Sequence, residues 1–142
     1  MKALLAALAI SMAAPLIGCQ SEGTVSETPD RAMAKLSDAA RTEVNGYLGA
    51  MRGLVSELGK VTDSSSAAAE VAKLDEYIAK VNQHGSDINA LPPEIRRRVS
   101  EAYGAQFASQ NDAFAAQVNR IKGTPGLGMK LGAALDKVTL LR

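Results

Sequence analysis

One histidine and one cysteine limit the chemistry open to this chain of 142 residues. His84 has the side chain of a general base, a metal ligand or a haem ligand, but each role needs partners at workable spacing. The chain has no second histidine, and its one cysteine, Cys19, lies in a leader treated below. That leaves no zinc or Cys–His site to expect. Carboxylate di-iron bundles repeat Glu-x-x-His on two helices, and no such pair occurs here. Serines and aspartates are plentiful, so a Ser-His-Asp set stays open, with no Gly-x-Ser-x-Gly elbow to favour it. Haem held by His84 and one of Met33, Met51 or Met129 is a sharper alternative. No Cys-x-x-Cys-His attachment motif accompanies it, and methionines at helical spacing usually fill cores. The reading is therefore no catalytic residue, no metal and no cofactor, with His84 a structural cation at a helix end, where the dipole is negative.

Three further features invite a chemical reading. Gly123-Thr124-Pro125-Gly126-Leu127-Gly128-Met129-Lys130 has the outline of a phosphate loop. A P-loop needs Lys directly after the second glycine and then Ser or Thr; Met129 and Lys130 stand there, so the segment reads as a helix break. Arg96-Arg97-Arg98 reads as a solvated face, with Glu94 pairing Arg98 and Arg97 pairing Glu101 at i,i+4. Gly46, Gly49 and Gly53 fall within about 60° of one another on a helix, on the side away from its apolar seam. Each gives up roughly 1 kcal/mol of helix propensity against Ala. That makes them a candidate docking face for a second helix, from this chain, a copy of it, or a partner.

The elements that must position these residues are helices. A first helix is expected from about 30 to 61, with Thr28 as cap and Pro29 in the first turn. Its stripe is Met33, Leu36, Ala40, Val44, Tyr47, Met51, Leu54, Leu58 and Val61, a heptad seam from Val44 onward. After a loop over 62–66, a second helix spans about 67–84 on Val71, Leu74, Ile78 and Val81, with Gly85 as a left-handed stop. Ile88 and Leu91 add a short further turn. A third runs from Pro93 to about Lys122, and a short fourth begins near Leu127 with Leu131, Leu135, Val138 and Leu141. No segment alternates like a half-buried strand. The fold class expected is all-α: an up-down antiparallel helical bundle of three to four helices over 30–142.

Ahead of the bundle, Lys2 is followed by an uncharged apolar run from Ala3 to Ala14 and then Pro15. This has the build of a secretory signal and is short of the roughly 20 residues a membrane span needs. Leu16-Ile17-Gly18-Cys19 resembles the lipobox of bacterial lipoproteins: an aliphatic residue, a small or aliphatic one, Gly or Ala, then Cys. The resemblance implies a diacylglycerol thioether on Cys19 and cleavage between Gly18 and Cys19, so that 1–18 is signal peptide. Lipid would also consume the lone thiol, and two or more acyl chains hold a protein firmly where one does so marginally. Residues 19–29 then read as a lipidated N-terminus and flexible tether, about 17 Å end to end on average. By the same resemblance, Gln20 in place of Asp favours the periplasmic face of the outer membrane.

Charge supports a narrow range of partners. The chain carries 16 Lys+Arg against 15 Asp+Glu, and removing Lys2 with the leader leaves it neutral. A neutral chain with five Tyr and Phe and no Trp is ill suited to nucleic acid, which needs a cationic surface, or to electrostatic adhesion on anionic lipid. The expected function is a membrane-anchored envelope lipoprotein acting as a non-enzymatic helical interaction or structural module. A carrier or sensor that binds an apolar ligand or haem is the alternative, and a hydrolase the third reading.

Overall fold

Regularly spaced apolar residues with capping signals between them yield five helices among the described residues, and no strand. The computed structural model describes residues 28–141 apart from Lys35. Gly18, Cys19 and most of the expected tether lie outside the described residues. The helices are α1 (Pro29–Ala34), α2 (Asp38–Lys60), α3 (Ser64–Ala90), α4 (Pro93–Gly123) and α5 (Leu127–Leu135). This is the all-α bundle expected from the sequence.

The first expected helix is two. Ser37 interrupts it as an N-cap, its side chain accepting from the Ala40 N–H at 3.2 Å, and Asp38 then sits in the first turn. The Arg41 guanidinium donates to the Leu36 carbonyl at 3.1 Å, and Leu36 is buried in the core. The Ser37 hydroxyl satisfies one of the orphan N–H groups of the new helix, so the chain can break here while Leu36 stays in the core.

The second expected helix is longer than its proposed glycine stop. α3 begins in a capping box: Asp63 accepts from the Ser65 and Ser66 N–H groups at 2.8 Å, and the Ser66 hydroxyl accepts from the Asp63 N–H at 2.9 Å. These hydrogen bonds, chiefly from Ser66, hold the Asp63 carboxyl below the usual range. The helix then runs straight through Gly85 to Ala90. Gly85 is buried inside α3 and does not end it; a Cβ there would make an ordinary contact with the Tyr47 ring at 3.6 Å. The real stop is Pro92-Pro93, which holds Leu91 extended (φ −61°, ψ 150°). Val71, expected in the buried stripe, is 42% exposed.

α2 is the centre of the bundle. It packs against both α3 and α4, so its buried arc widens beyond the heptad seam to Ala50 and Glu57. The three-residue turn after α2 makes α3 its antiparallel neighbour, and α4 returns parallel to α2. That direction is fixed where Arg120, near the end of α4, donates to the Leu58 and Val61 carbonyls at the end of α2, at 2.6 and 2.7 Å. Tyr47 and Phe107 meet edge to face at 5.6 Å in the core.

The short fourth helix completes the bundle with help from an irregular tail. Gly126 takes a left-handed φ of 81° before α5, a conformation that glycine adopts without steric cost. α5 buries Leu127, Leu131 and Leu135 and ends there, so Val138 and Leu141 do not continue it. They belong to a non-helical tail that side chains hold in place. The Asn82 amide donates to the Lys137 carbonyl at 3.1 Å and accepts from the Thr139 N–H at 2.8 Å. The Tyr47 hydroxyl donates to the Thr139 carbonyl at 3.2 Å and accepts from the Leu141 N–H at 3.1 Å. Asn111 donates to the Leu141 carbonyl at 2.7 Å. Burial raises the Tyr47 phenol above its ordinary value of 10.0, against the opposing Leu141 hydrogen bond.

Candidate functional site

His84 lies inside α3, six residues before its last residue Ala90, and so short of the final turn, the dipole terminus expected for it. Its Nδ1 is 2.7 Å from Oε2 of Glu43 on α2. Both side chains are about one-third exposed. One turn along α3, Asp87 is half-buried, and its carboxylate accepts two hydrogen bonds from Gln83 Nε2, at 3.0 and 3.1 Å. One donor atom from each of Glu43, His84 and Asp87 lies within 4.8 Å of the others. The sequence placed no metal ligand here. His84-x-x-Asp87 was visible as an i,i+3 pair on one helix face, but Glu43 arrives through the register of α2 on α3.

The glycines explain how the ring comes so close. A Cβ built on Gly46 would lie 2.5 Å from His84 Cε1 and 2.6 Å from Nε2. One on Gly53 would overlap the Tyr77 ring. Two of the three glycines expected to seat a helix thus receive α3 of the same chain, while Gly49 is exposed with nothing within 4 Å. The seats recur every seven residues on both helices: Gly46 and Gly53 on α2, His84 and Tyr77 on α3.

A second ionic set joins the same helices. Lys60 donates to both oxygens of Glu57, at 2.7 and 2.9 Å, and Lys73 donates to Glu70 at 3.1 Å while lying 4.0 Å from Glu57. The Lys60 hydrogen bond is the main cause that lowers the Glu57 carboxyl from its ordinary range. Charge here is balanced.

The remaining candidates are dispersed. Met51 is fully buried in the core, Met33 packs at its edge, and Met129 is 90% exposed. Arg97 bridges Glu94 and Glu101. The expected Glu94–Arg98 pair is not formed among the described residues; Glu94 turns to Arg97, one residue nearer, and the Arg98 Nε is buried without a partner. Arg96 and Arg97 edge an open groove of about 460 Å³ that also involves Ile88, Val99, Phe107 and Leu141. In the segment from Gly123 to Lys130, Gly128 lies against the Lys122 backbone, where a Cβ would meet its carbonyl oxygen at 3.3 Å. No family model, curated protein or solved structure matches this chain.

Proposed function

We propose that this chain is a bacterial envelope lipoprotein, held at a membrane by lipid on Cys19, whose helical bundle acts as a non-enzymatic interaction or structural module. The observation that carries the reading is Leu16-Ile17-Gly18-Cys19 directly after a basic start and an apolar run. No helix among the described residues is long and apolar enough to cross a membrane; in this reading the acyl chains supply the attachment, at about 0.8 kcal/mol per buried methylene. The continuous buried core around Tyr47, Met51, Leu54 and Phe107 suits a rigid module. Of the three α2 glycines, Gly49 is left open to an outside partner. Gln20 after the cysteine favours the outer membrane.

Metabolic labelling with a fatty-acid analogue, comparing the native chain with Cys19→Ser, tests the anchor. Label confined to the native chain is the expected result, and equal label in both overturns it. Crosslinking in intact cells then tests the module: a recurrent protein adduct supports it, and a chain that crosslinks to nothing refutes the interaction role.

A further inference from the structure

Along the α2–α3 hairpin, equivalent positions recur every seven residues, and one rung is chemically out of step with its counterpart. Glu57, Lys60, Glu70 and Lys73 balance two carboxylates against two lysines. Two heptads away, the equivalent positions are Glu43, Gly46, His84 and Asp87. Both lysines are gone. Gly46 has no side chain, and the His84 ring lies against its backbone; Asp87 puts an anion where the other rung has a cation. Two half-buried carboxylates therefore face one imidazole, and among the described residues no Lys or Arg is ion-paired with either. Anions grouped in this way, partly out of water, favour a bound cation.

The geometry points to a divalent transition-metal site at Glu43, His84 and Asp87, with zinc as its best-fitting ion, clamped between α2 and α3. An imidazole with two carboxylates is a donor set for zinc and its first-row neighbours; calcium and magnesium prefer oxygen throughout. Donors on one tetrahedral zinc, each at about 2.0–2.1 Å, lie roughly 3.3 Å apart. The 2.7 Å His84–Glu43 contact must open by about 0.6 Å. The other two separations lie within 4.8 Å, in reach of the same spacing. Both adjustments fall to the Glu43 and Asp87 side chains, because the His84 ring is seated against Gly46. Gln83 orients Asp87 from outside the donor set, as second-layer hydrogen bonds do at metal sites. The partial exposure of all three residues gives the ion a path in and leaves the fourth position to water. The inference is independent of lipid on Cys19.

The test uses the full chain, purified in detergent without a histidine tag and stripped with EDTA. Zinc chloride is titrated calorimetrically, and Tm is measured with and without zinc. One zinc per chain and a raised Tm are expected. Because His84 is the only histidine, shifts of the single histidine ring resonance on adding zinc report this site alone. Asp87→Asn keeps the His84–Glu43 contact, and His84→Gln removes the nitrogen donor; each should weaken zinc binding roughly tenfold or more. Magnesium chloride should neither bind nor compete. Absence of saturable zinc binding in the native chain, binding that survives both substitutions, or equal binding of magnesium would overturn the assignment and leave the His84–Glu43 contact as a brace between helices.

Discussion

Alanine at Gly46, Gly49 and Gly53 separates helix propensity from the space a methyl group needs. All three glycines lie inside α2, where Ala is favoured by roughly 1 kcal/mol. Nothing lies within 4 Å of a Cβ at Gly49, so the full gain of about 1 kcal/mol should appear there, raising Tm by about 4 °C. At Gly46 the Cβ would stand 2.5 Å from His84 Cε1. Carbon atoms pack best about 3.5–4.0 Å apart, so the ring must retreat by roughly 1 Å. Overpacking of this kind costs about 1–3 kcal/mol, which makes Gly46→Ala neutral to about 2 kcal/mol destabilising. Gly53→Ala meets the half-buried Tyr77 ring at least as closely, but that side chain has no hydrogen-bond partner among the described residues to hold it, whereas His84 is held by Glu43. The expected order of stability is Gly49→Ala, then Gly53→Ala, then Gly46→Ala. Urea unfolding followed by far-UV circular dichroism measures it, with an unchanged m-value confirming that only stability has moved. Equal stabilisation at all three positions, or a loss at Gly49, would refute the assignment of two seats and one open position.

Two other substitutions probe how the bundle is closed. Tyr47→Phe strands the Thr139 carbonyl and the buried Leu141 N–H and should cost about 1–3 kcal/mol in urea unfolding; a change near zero would show that the tail does not depend on this hydroxyl. Burial raises the folded-state Tyr47 pKa, so its contribution is complete below pH 10.0 and is lost as pH rises through the folded value. The native chain should therefore lose stability more steeply in alkali than Tyr47→Phe does, and parallel curves in unfolding at graded pH would contradict this. Arg120→Ala removes two charged hydrogen bonds from the end of α2 and should lower stability by about 1–2 kcal/mol, with faster amide exchange at Thr62 and Asp63 as the local readout.

Periodicity made the bundle legible. Every residue of the expected heptad seam from Val44 to Val61 is buried. The misreadings came where a local signal and the apolar period disagreed. Ser37-Asp38 carried a cap that the stripe concealed, whereas Gly85 carried a stop signal that the stripe correctly ran through. Gly85 is buried beside Tyr47 of α2, a neighbour that no single-helix pattern contains. The tail failed for a similar reason: Val138 and Leu141 have helical spacing, yet their backbone is held by Asn82, Tyr47 and Asn111. At the candidate site, two of the three donors lay within one helix as His84-x-x-Asp87. Its third member needed the pairing of α2 with α3.

That pairing gives the last and most specific expectation. If the Glu57 and Glu43 rungs are versions of one design that differ in their cation, restoring the lysine should convert one into the other. Asp87→Lys places an ammonium where Lys73 stands two heptads away, beside Glu43 and His84. Coulomb attraction to Glu43 replaces the Glu43–Asp87 repulsion, while the two Gln83 hydrogen bonds are given up. Half-exposed pairs of this kind contribute about 0.2–1 kcal/mol, so the metal-free variant should be at least as stable as the native chain, and its advantage should shrink in high salt. It should also fail to gain Tm from zinc, because the cation is now built in. A metal-free Asp87→Lys chain destabilised by more than about 1 kcal/mol would show that the rungs are not equivalent, and that Asp87 is held at this position by packing, not by the charge it offers an ion.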